Sequence, residues 1–378
     1  MIKNKLKNII IKTFKIFPIK KNRCIFYSSY GSNYGCNPKY ISEYLKKNNK
    51  DIEIVWVLNS PEKYNIKGIK IIKNMSLSYF YNLATSKVIV TNFRTTQDFE
   101  KRKNQKYIQT WHSSLRLKQI EKDAEKSLSK NYILQAKEDS KKIDYLLSGC
   151  EKSTEIFKRA FWYNGTILET GTPRNDFLFN INEKEKKNIK NKIGVKEDER
   201  ILLYAPTFRK NKSLNVYNLN YSELLKSLQK KFGGKWKILL RLHPHLINLS
   251  SNIKDENILD VTKYDDIQEL LGVTDVLISD YSSLIFDFSI TKKPCVLYTP
   301  DLLEYTSTDR KLYFNIEELP FKSILTNEEL NKYVLDFDKK SYEKKLDIFL
   351  NNIGSFEDGK ASERVSDLIE SICRGERR

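Results

Sequence analysis

Acidic residues are missing from the first 42 positions of this 378-residue chain, and histidine occurs only three times in all of it. The five cysteines, Cys24, Cys36, Cys150, Cys295 and Cys373, are scattered and form no CxxC. That pattern argues against a disulfide framework or a zinc site and suits a reducing compartment. No run of 18 apolar residues occurs, so no membrane-spanning segment is expected. Walker A, HExxH and GxSxG are absent, as is GxGxxG after the first strand. No repeat of 20–50 residues is visible, which excludes a solenoid. One Asp-x-Asp, Asp336-Phe337-Asp338, heads "KKSYEKKLDIFL" and reads as a helix cap rather than a metal site. No metal and no cofactor are expected.

Apolar residues make up 40% and charged residues 30%, a globular balance, and the length fits two domains of ordinary size. A net charge of +19 points to polyanionic or anionic-surface partners. Nine Lys or Arg precede the first acidic residue, Glu43. Within that basic stretch Ile2, Leu6, Ile9, Ile10, Phe14 and Phe17 recur at helical spacing with lysines between them. Residues 1–22 are therefore expected to form a basic amphipathic helix lying on an anionic membrane surface. The plainer alternative is a helix packed on its own domain. Lysines interrupt the apolar stretch and no small-residue cleavage site follows, so a signal peptide is not expected.

Apolar, β-rich runs alternate with longer amphipathic segments. "CIFYSS" 24–29, "IEIVWVL" 52–58, "KVIVTN" 87–92, "YIQTW" 107–111 and "YLLSG" 145–149 come first. After the charged stretch "NINEKEKKNIKNKIGVKEDER" the rhythm restarts with "ILLYAP" 201–206, "KILLRL" 237–242, "ENILDV" 256–261, "DVLISD" 275–280 and "PCVLYT" 294–299. Continuous apolar strands separated by helices mean buried parallel sheets. The expected fold is α/β: Rossmann-like domains over 23–180 and 201–350 facing across a cleft, a linker over 181–200, and a C-terminal helix over 351–378.

Candidate site residues cluster where these strands end. In "DVLISDYSSLIFDF" a strand runs into Ser282 and Ser283 at a helix start, an arrangement that fits an anion or simple capping by Ser282 or Asp280. "LRLHPH" brings Arg241 and His243 to another strand end, suited to phosphate binding or to a strand-end turn. "LYAPTFR" repeats the pattern with Pro206, Thr207 and Arg209, and "ETGTPRND" supplies Arg174. His112, in "WHSSL" after "YIQTW", is either a general base facing the cleft or a histidine bonded within its own loop.

Taken in order, these motifs resemble the CDP-glycerol glycerophosphotransferase family, whose enzymes build teichoic acids and some capsules. The resemblance covers about 24–350 and rests on "SYGSNYGCNPKYISEYL", "WHSSLRLK", "GTPRND", "LYAPTFR", "LRLHPH", "DVTKYDDIQELLGVTDVLISDYSSLIFDF" and "KKPCVLYTPDLLEY". Ser113, Ser114 and Leu115 stand where the family commonly has Gly, Thr and Pro, so the loop differs in backbone freedom. The resemblance implies a GT-B fold with an acceptor-side N-terminal domain and a CDP-glycerol-binding C-terminal domain. It makes His112 the catalytic base and has His243 assist at the donor phosphate. Arg174, Thr207, Arg241, Ser282 and Ser283 would hold the donor, with Trp111, Ser113, Ser114, Pro206 and Arg209 as further substrate contacts.

The expected activity is transfer of glycerol phosphate from CDP-glycerol to a lipid-linked glycan or polyol-phosphate acceptor at the cytoplasmic membrane face, releasing CMP. CDP-ribitol chemistry, or a nucleotide-sugar glycosyltransferase on the same fold, is the alternative. A nucleic-acid partner is not expected, because the lysines are spread out and paired with glutamates outside the N-terminal run. A homo-oligomer stays compatible with the sequence.

Overall fold

The computed structural model describes residues 11–95, 100–209, 219–242, 256–308 and 311–376. The chain divides into two units: Met1–Ser114 with Ile120–Asp176 and Phe356–Arg378, and Leu115–Gln119 with Phe177–Ser355.

The first unit is built on seven parallel strands: β1 (Lys20–Tyr27), β2 (Glu53–Leu58), β3 (Lys70–Lys73), β4 (Ser86–Thr91), β5 (Lys106–Gln109), β6 (Tyr145–Leu147) and β7 (Thr166–Leu168). Their order is β3-β2-β1-β4-β5-β6-β7. Alternate residues of each strand feed two cores, since successive strand side chains point to opposite faces. On one face Cys24, Phe26, Trp56, Val88, Val90 and Ile108 pack with Val365, Leu368, Ile369 and Ile372. On the other, Ile25, Val55, Val57, Ile89 and Tyr107 pack with Phe157 and Phe161.

The second unit repeats the plan with β8 (Glu199–Ala205), β9 (Lys235–Leu240), β10 (Ile258–Asp260), β11 (Val276–Ser279), β12 (Cys295–Tyr298) and β13 (Lys322–Ile324). All are parallel, in the order β10-β9-β8-β11-β12-β13.

The boundaries differ from the sequence expectation in three places, each for a packing reason. Residues 181–200 hold the helix Glu183–Ile193, opened by an Asn182/Glu185 capping box, and Glu199 already begins β8. Its lysines and glutamates face outward while Ile189 is buried, so the stretch is part of the second unit. The C-terminal helix Ala361–Arg374 belongs to the first unit, where its apolar stripe completes the core on one face of the sheet. Leu115–Gln119 joins the second unit by backbone pairing: Gln119 N–H donates to Lys311 O (2.9 Å) and Tyr313 N–H to Leu117 O (2.8 Å).

Residues 11–14 are helical, and Ile11 is buried in the first unit's core. Phe14 and Phe17 meet the Tyr81 ring edge-on at 5.8 and 5.6 Å, whereas Ile16 is 76% exposed. This part of the expected amphipathic helix therefore packs partly on its own unit; residues 1–10 lie outside the described residues. Among the described residues no helix is long and apolar enough to cross a membrane.

Candidate active site

Open parallel sheets bind ligands outside the carboxyl ends of their strands, at the point where strand order reverses. That point falls between β1 and β4 in the first unit and between β8 and β11 in the second.

In the first unit β5 delivers Thr110, Trp111 and His112. Trp111 adopts φ +49°, a left-handed conformation that costs a non-glycine residue about 1–2 kcal/mol. Its ring stacks on His112 (4.6 Å between centroids, 21°) and meets Phe161 edge-on at 5.0 Å. Hydrogen bonds hold the strained backbone. Trp111 N–H donates to Gln109 Oε1 (3.0 Å), and Asn37 Nδ2 donates to the carbonyls of Thr110 (3.2 Å) and Trp111 (3.1 Å). His112 is exposed, with Nδ1 3.4 Å from the Asn92 carbonyl oxygen. A carbonyl only accepts, so this contact is a hydrogen bond in the tautomer that carries the proton on Nδ1 and leaves the basic lone pair on Nε2.

Against this aromatic stack sits Arg94, 1% exposed, with its guanidinium 3.6 Å from the Phe161 centroid and 6.0 Å from that of Trp111. It donates to Glu121 (2.8 Å), Asp139 (3.3 Å), the Ser140 hydroxyl (2.9 Å) and the Phe161 carbonyl (3.1 Å). A buried charge is tolerated when paired and hydrogen-bonded in this way. Burial lowers the Arg94 pKa, but the two carboxylates outweigh it and hold the group above its ordinary value. Burial pushes Asp139 up, against the pull of Arg94 and of the Thr95 hydrogen bonds.

The "GTPRND" loop is tied to the same place. Arg174, 8% exposed, donates its N–H to Asn37 Oδ1 (3.0 Å), and its Nη1 lies 3.3 Å from Cys36 Sγ. Asp176 accepts from the N–H groups of Ala361 (3.0 Å) and Ser362 (2.6 Å), so it holds the start of the C-terminal helix. Ser113 and Ser114 are buried, and the Ser114 carbonyl accepts from the Ser153 hydroxyl (2.5 Å). Gly149 permits the close approach of these loops: a Cβ there would meet Thr172 Oγ1, Glu357 Oε1 (2.7 Å) and Ser114 Cα (2.8 Å).

In the second unit Pro206 ends β8, and Thr207 N–H donates to both oxygens of Asp280 (2.9 and 3.0 Å). Arg209, expected as a substrate contact, is 3% exposed with its guanidinium on Asp280 (2.8 Å) and Asp301 (2.5 Å). It also lies 4.9 Å from each ring of the stacked pair Tyr281–Tyr305. Ser283 Oγ accepts from Leu117 N–H (3.3 Å), and Ser282 Oγ lies 3.4 Å from Leu284 N. Asp280 therefore holds Thr207 and Arg209 rather than capping the helix that follows. Arg241, at the end of β9, donates to the carbonyls of Val261 (3.3 Å) and Tyr264 (2.7 Å). His243 lies outside the described residues.

Within the first unit, then, Trp111, His112, Ser113, Ser114 and Arg174 converge; within the second, Pro206, Thr207, Arg209, Ser282 and Ser283 share the β8/β11 switch point. Sequence reasoning missed Asn37, Asn92, Arg94 and Gly149. Asn37 was visible only as part of "GCNPKY", and nothing local marks the residues it binds.

Residues 9–371 match the profile of the family CDP-Glycerol:Poly(glycerophosphate) glycerophosphotransferase. The chain is 32% identical to the teichoic acid poly(glycerol phosphate) polymerase of Bacillus subtilis (strain 168), over 97% of this chain and 52% of that protein. It thus spans about half the length of that polymerase. It is 31% identical to the teichoic acid glycerol-phosphate transferase of Staphylococcus aureus (strain NCTC 8325), over 98% of this chain and 100% of that one. A solved structure of the wall teichoic acid polymerase TagF superposes with a TM-score of 0.86 at 30% identity, covering 99% of this chain and 96% of that one. Both sheets are parallel, in keeping with the α/β, GT-B-like class read from the sequence. The chain belongs to the CDP-glycerol:poly(glycerophosphate) glycerophosphotransferase family.

Proposed function

We propose that the protein transfers glycerol phosphate from CDP-glycerol to a hydroxyl of a membrane-linked glycan or polyol-phosphate acceptor, in teichoic acid or capsule synthesis. The observation that carries this reading is the seating of His112. It is exposed at a strand's carboxyl end, its Nδ1 lies 3.4 Å from the Asn92 carbonyl oxygen, and its ring is stacked on a strained Trp111. With Nδ1 as the donor to that carbonyl, Nε2 is the nitrogen that would take the acceptor's proton. The acceptor oxygen attacks the β-phosphate as Nε2 takes its proton, and the bond to CMP breaks. Arg174, the hydroxyls of Thr207, Ser282 and Ser283 and the Arg241 guanidinium are the proposed donor contacts, with His243 assisting. Asn37, Arg94 and Arg209 act as positioning residues.

The basic N-terminal segment supports a peripheral station on the anionic cytoplasmic membrane face, next to a lipid-linked acceptor. The test is CMP release from CDP-glycerol with acceptor-bearing membranes, wild type beside His112→Ala. Release by the wild type that vanishes in the variant is the expected result. Product from CDP-ribitol or UDP-sugars in its place would move the donor and overturn the glycerol assignment.

A further inference from the structure

The β8/β11 switch point holds the proposed donor residues, whereas the reading above assigns no ligand to the matching β1/β4 switch point of the first unit. It is unusually built. After β1 the chain runs through Ser29 (φ +47°), Tyr30 (φ +54°) and Gly31 (φ +80°), three consecutive left-handed residues of which two are not glycine. Asparagines at neighbouring strand ends hold this turn. Asn92 Oδ1, after β4, accepts from Ser29 N–H (2.9 Å), and Asn92 Nδ2 donates to the Ser28 hydroxyl (3.2 Å). Asn59, after β2, donates from Nδ2 to Tyr30 O (3.0 Å) and from its backbone N–H to Gly31 O (2.8 Å). Asn74 in turn donates to Asn59 Oδ1 (2.9 Å).

Strain held by so many bonds puts one side chain in a chosen place. That side chain belongs to Tyr30, a residue 50% exposed whose ring is supported by Phe93 at 4.2 Å between centroids. A large aromatic left half open at a strand's carboxyl end is oriented for a ligand. The ligand's position relative to the base follows from Asn92: its side chain holds the Tyr30 turn while its carbonyl orients His112.

We infer that the β1/β4 switch point is the subsite for the acceptor's terminal polyol or sugar unit, with Tyr30 as its specificity-determining wall. The ring would pack on the carbon face of the unit, and the hydroxyl-bearing end of the unit would reach His112. This rests on the transferase reading and adds the place where the nucleophile is held.

The test is steady-state kinetics of CMP release with a synthetic acceptor, one glycerol phosphate on a short alkyl anchor, for wild type, Tyr30→Ala and Tyr30→Phe. Tyr30→Ala is expected to raise the acceptor KM about tenfold, the loss of one well-stacked ring. Its CDP-glycerol KM and Tm should stay at the wild-type values, because the half-exposed ring is not core. Tyr30→Phe should recover most of the loss. An unchanged acceptor KM in Tyr30→Ala, or a Phe variant no better than Ala, overturns the subsite while wild-type turnover keeps the transferase reading. No wild-type turnover at all would instead remove the reading on which the subsite depends.

Discussion

The side-chain amide of Asn37 lies 3.1 Å from the carbonyl oxygen of Trp111, and through that bond a helix start holds the loop of the histidine. The same side chain accepts from Arg174 N–H at 3.0 Å, so one buried residue sets two loops at once. Asn37→Ala should lose about 2–3 kcal/mol of stability, since it leaves buried backbone groups without their partner. It should also lower kcat more than it changes the CDP-glycerol KM, because Trp111 would relax from its left-handed conformation and carry His112 with it. Thermal melts beside steady-state kinetics check both; unchanged kcat in a folded variant would contradict the positioning role.

His112→Ala should reduce turnover roughly 10²–10⁴-fold, the range for a lost acid/base group. The side chain is exposed, so the melting temperature should stay near that of the wild type. Full activity in the variant would remove His112 as the base.

Gly149→Ala should destabilise the first unit by about 1–3 kcal/mol, the usual range for overpacking. Its added carbon would fall 2.8 Å from Ser114 Cα, which is backbone and cannot rotate away. A denaturant titration reads the loss directly; a neutral result would mean that the loops part without strain.

Arg209→Ala should be the most disruptive change in the second unit. It strands Asp280 and Asp301, which Arg209 bridges at 2.8 and 2.5 Å, and breaking such a buried pair costs about 3–5 kcal/mol. Arg209→Lys should recover only part, because an ammonium lacks the fork that serves both carboxylates. If Arg209→Ala melts like the wild type and only donor affinity falls, Arg209 is a ligand contact after all.

Stability should also respond to acid at Glu53. Burial pulls its pKa up, but hydrogen bonds and charge from Arg23 outweigh this and hold it below the ordinary 4.5. A depressed carboxylate contributes stability above that value and loses it as pH falls through the folded pKa. The stability gap between wild type and Glu53→Gln should therefore be present at neutral pH and close below about pH 4.5. Because Glu53 is one-third exposed, the gap should be under about 1 kcal/mol. A gap that widens in acid would reverse the assignment.

Strands were legible where both faces are buried, as in "KILLRL" and "KVIVTN", because uninterrupted apolar runs have few other uses. β3, β7 and β13 were not: all three are sheet-edge strands, only partly buried, and segments such as Thr166–Leu168 lack a continuous apolar run. The Asp336-Phe337-Asp338 stretch was read correctly as a cap: Asp338 accepts from Lys340 and Ser341 N–H. Of the candidate site, the residues at strand ends were the ones the sequence could name. An exposed histidine after a strand announces itself, whereas Asn37 binds residues 73, 74 and 137 positions away and Arg209 pairs with a carboxylate 92 positions away. Arginine at a strand end suggests phosphate until its burial against Asp301 is seen.

The return of Ala361–Arg374 to the first unit has a consequence for synthesis. Val365, Leu368, Ile369 and Ile372 cover strands laid down near the start of the chain, and Asp176 waits for the N–H groups of Ala361 and Ser362. On the ribosome the second unit can close as soon as it emerges, while the first keeps an apolar sheet face bare until the last helix arrives. A fragment ending near residue 180 should therefore precipitate or recruit chaperones, and the same helix supplied as a separate peptide should rescue it.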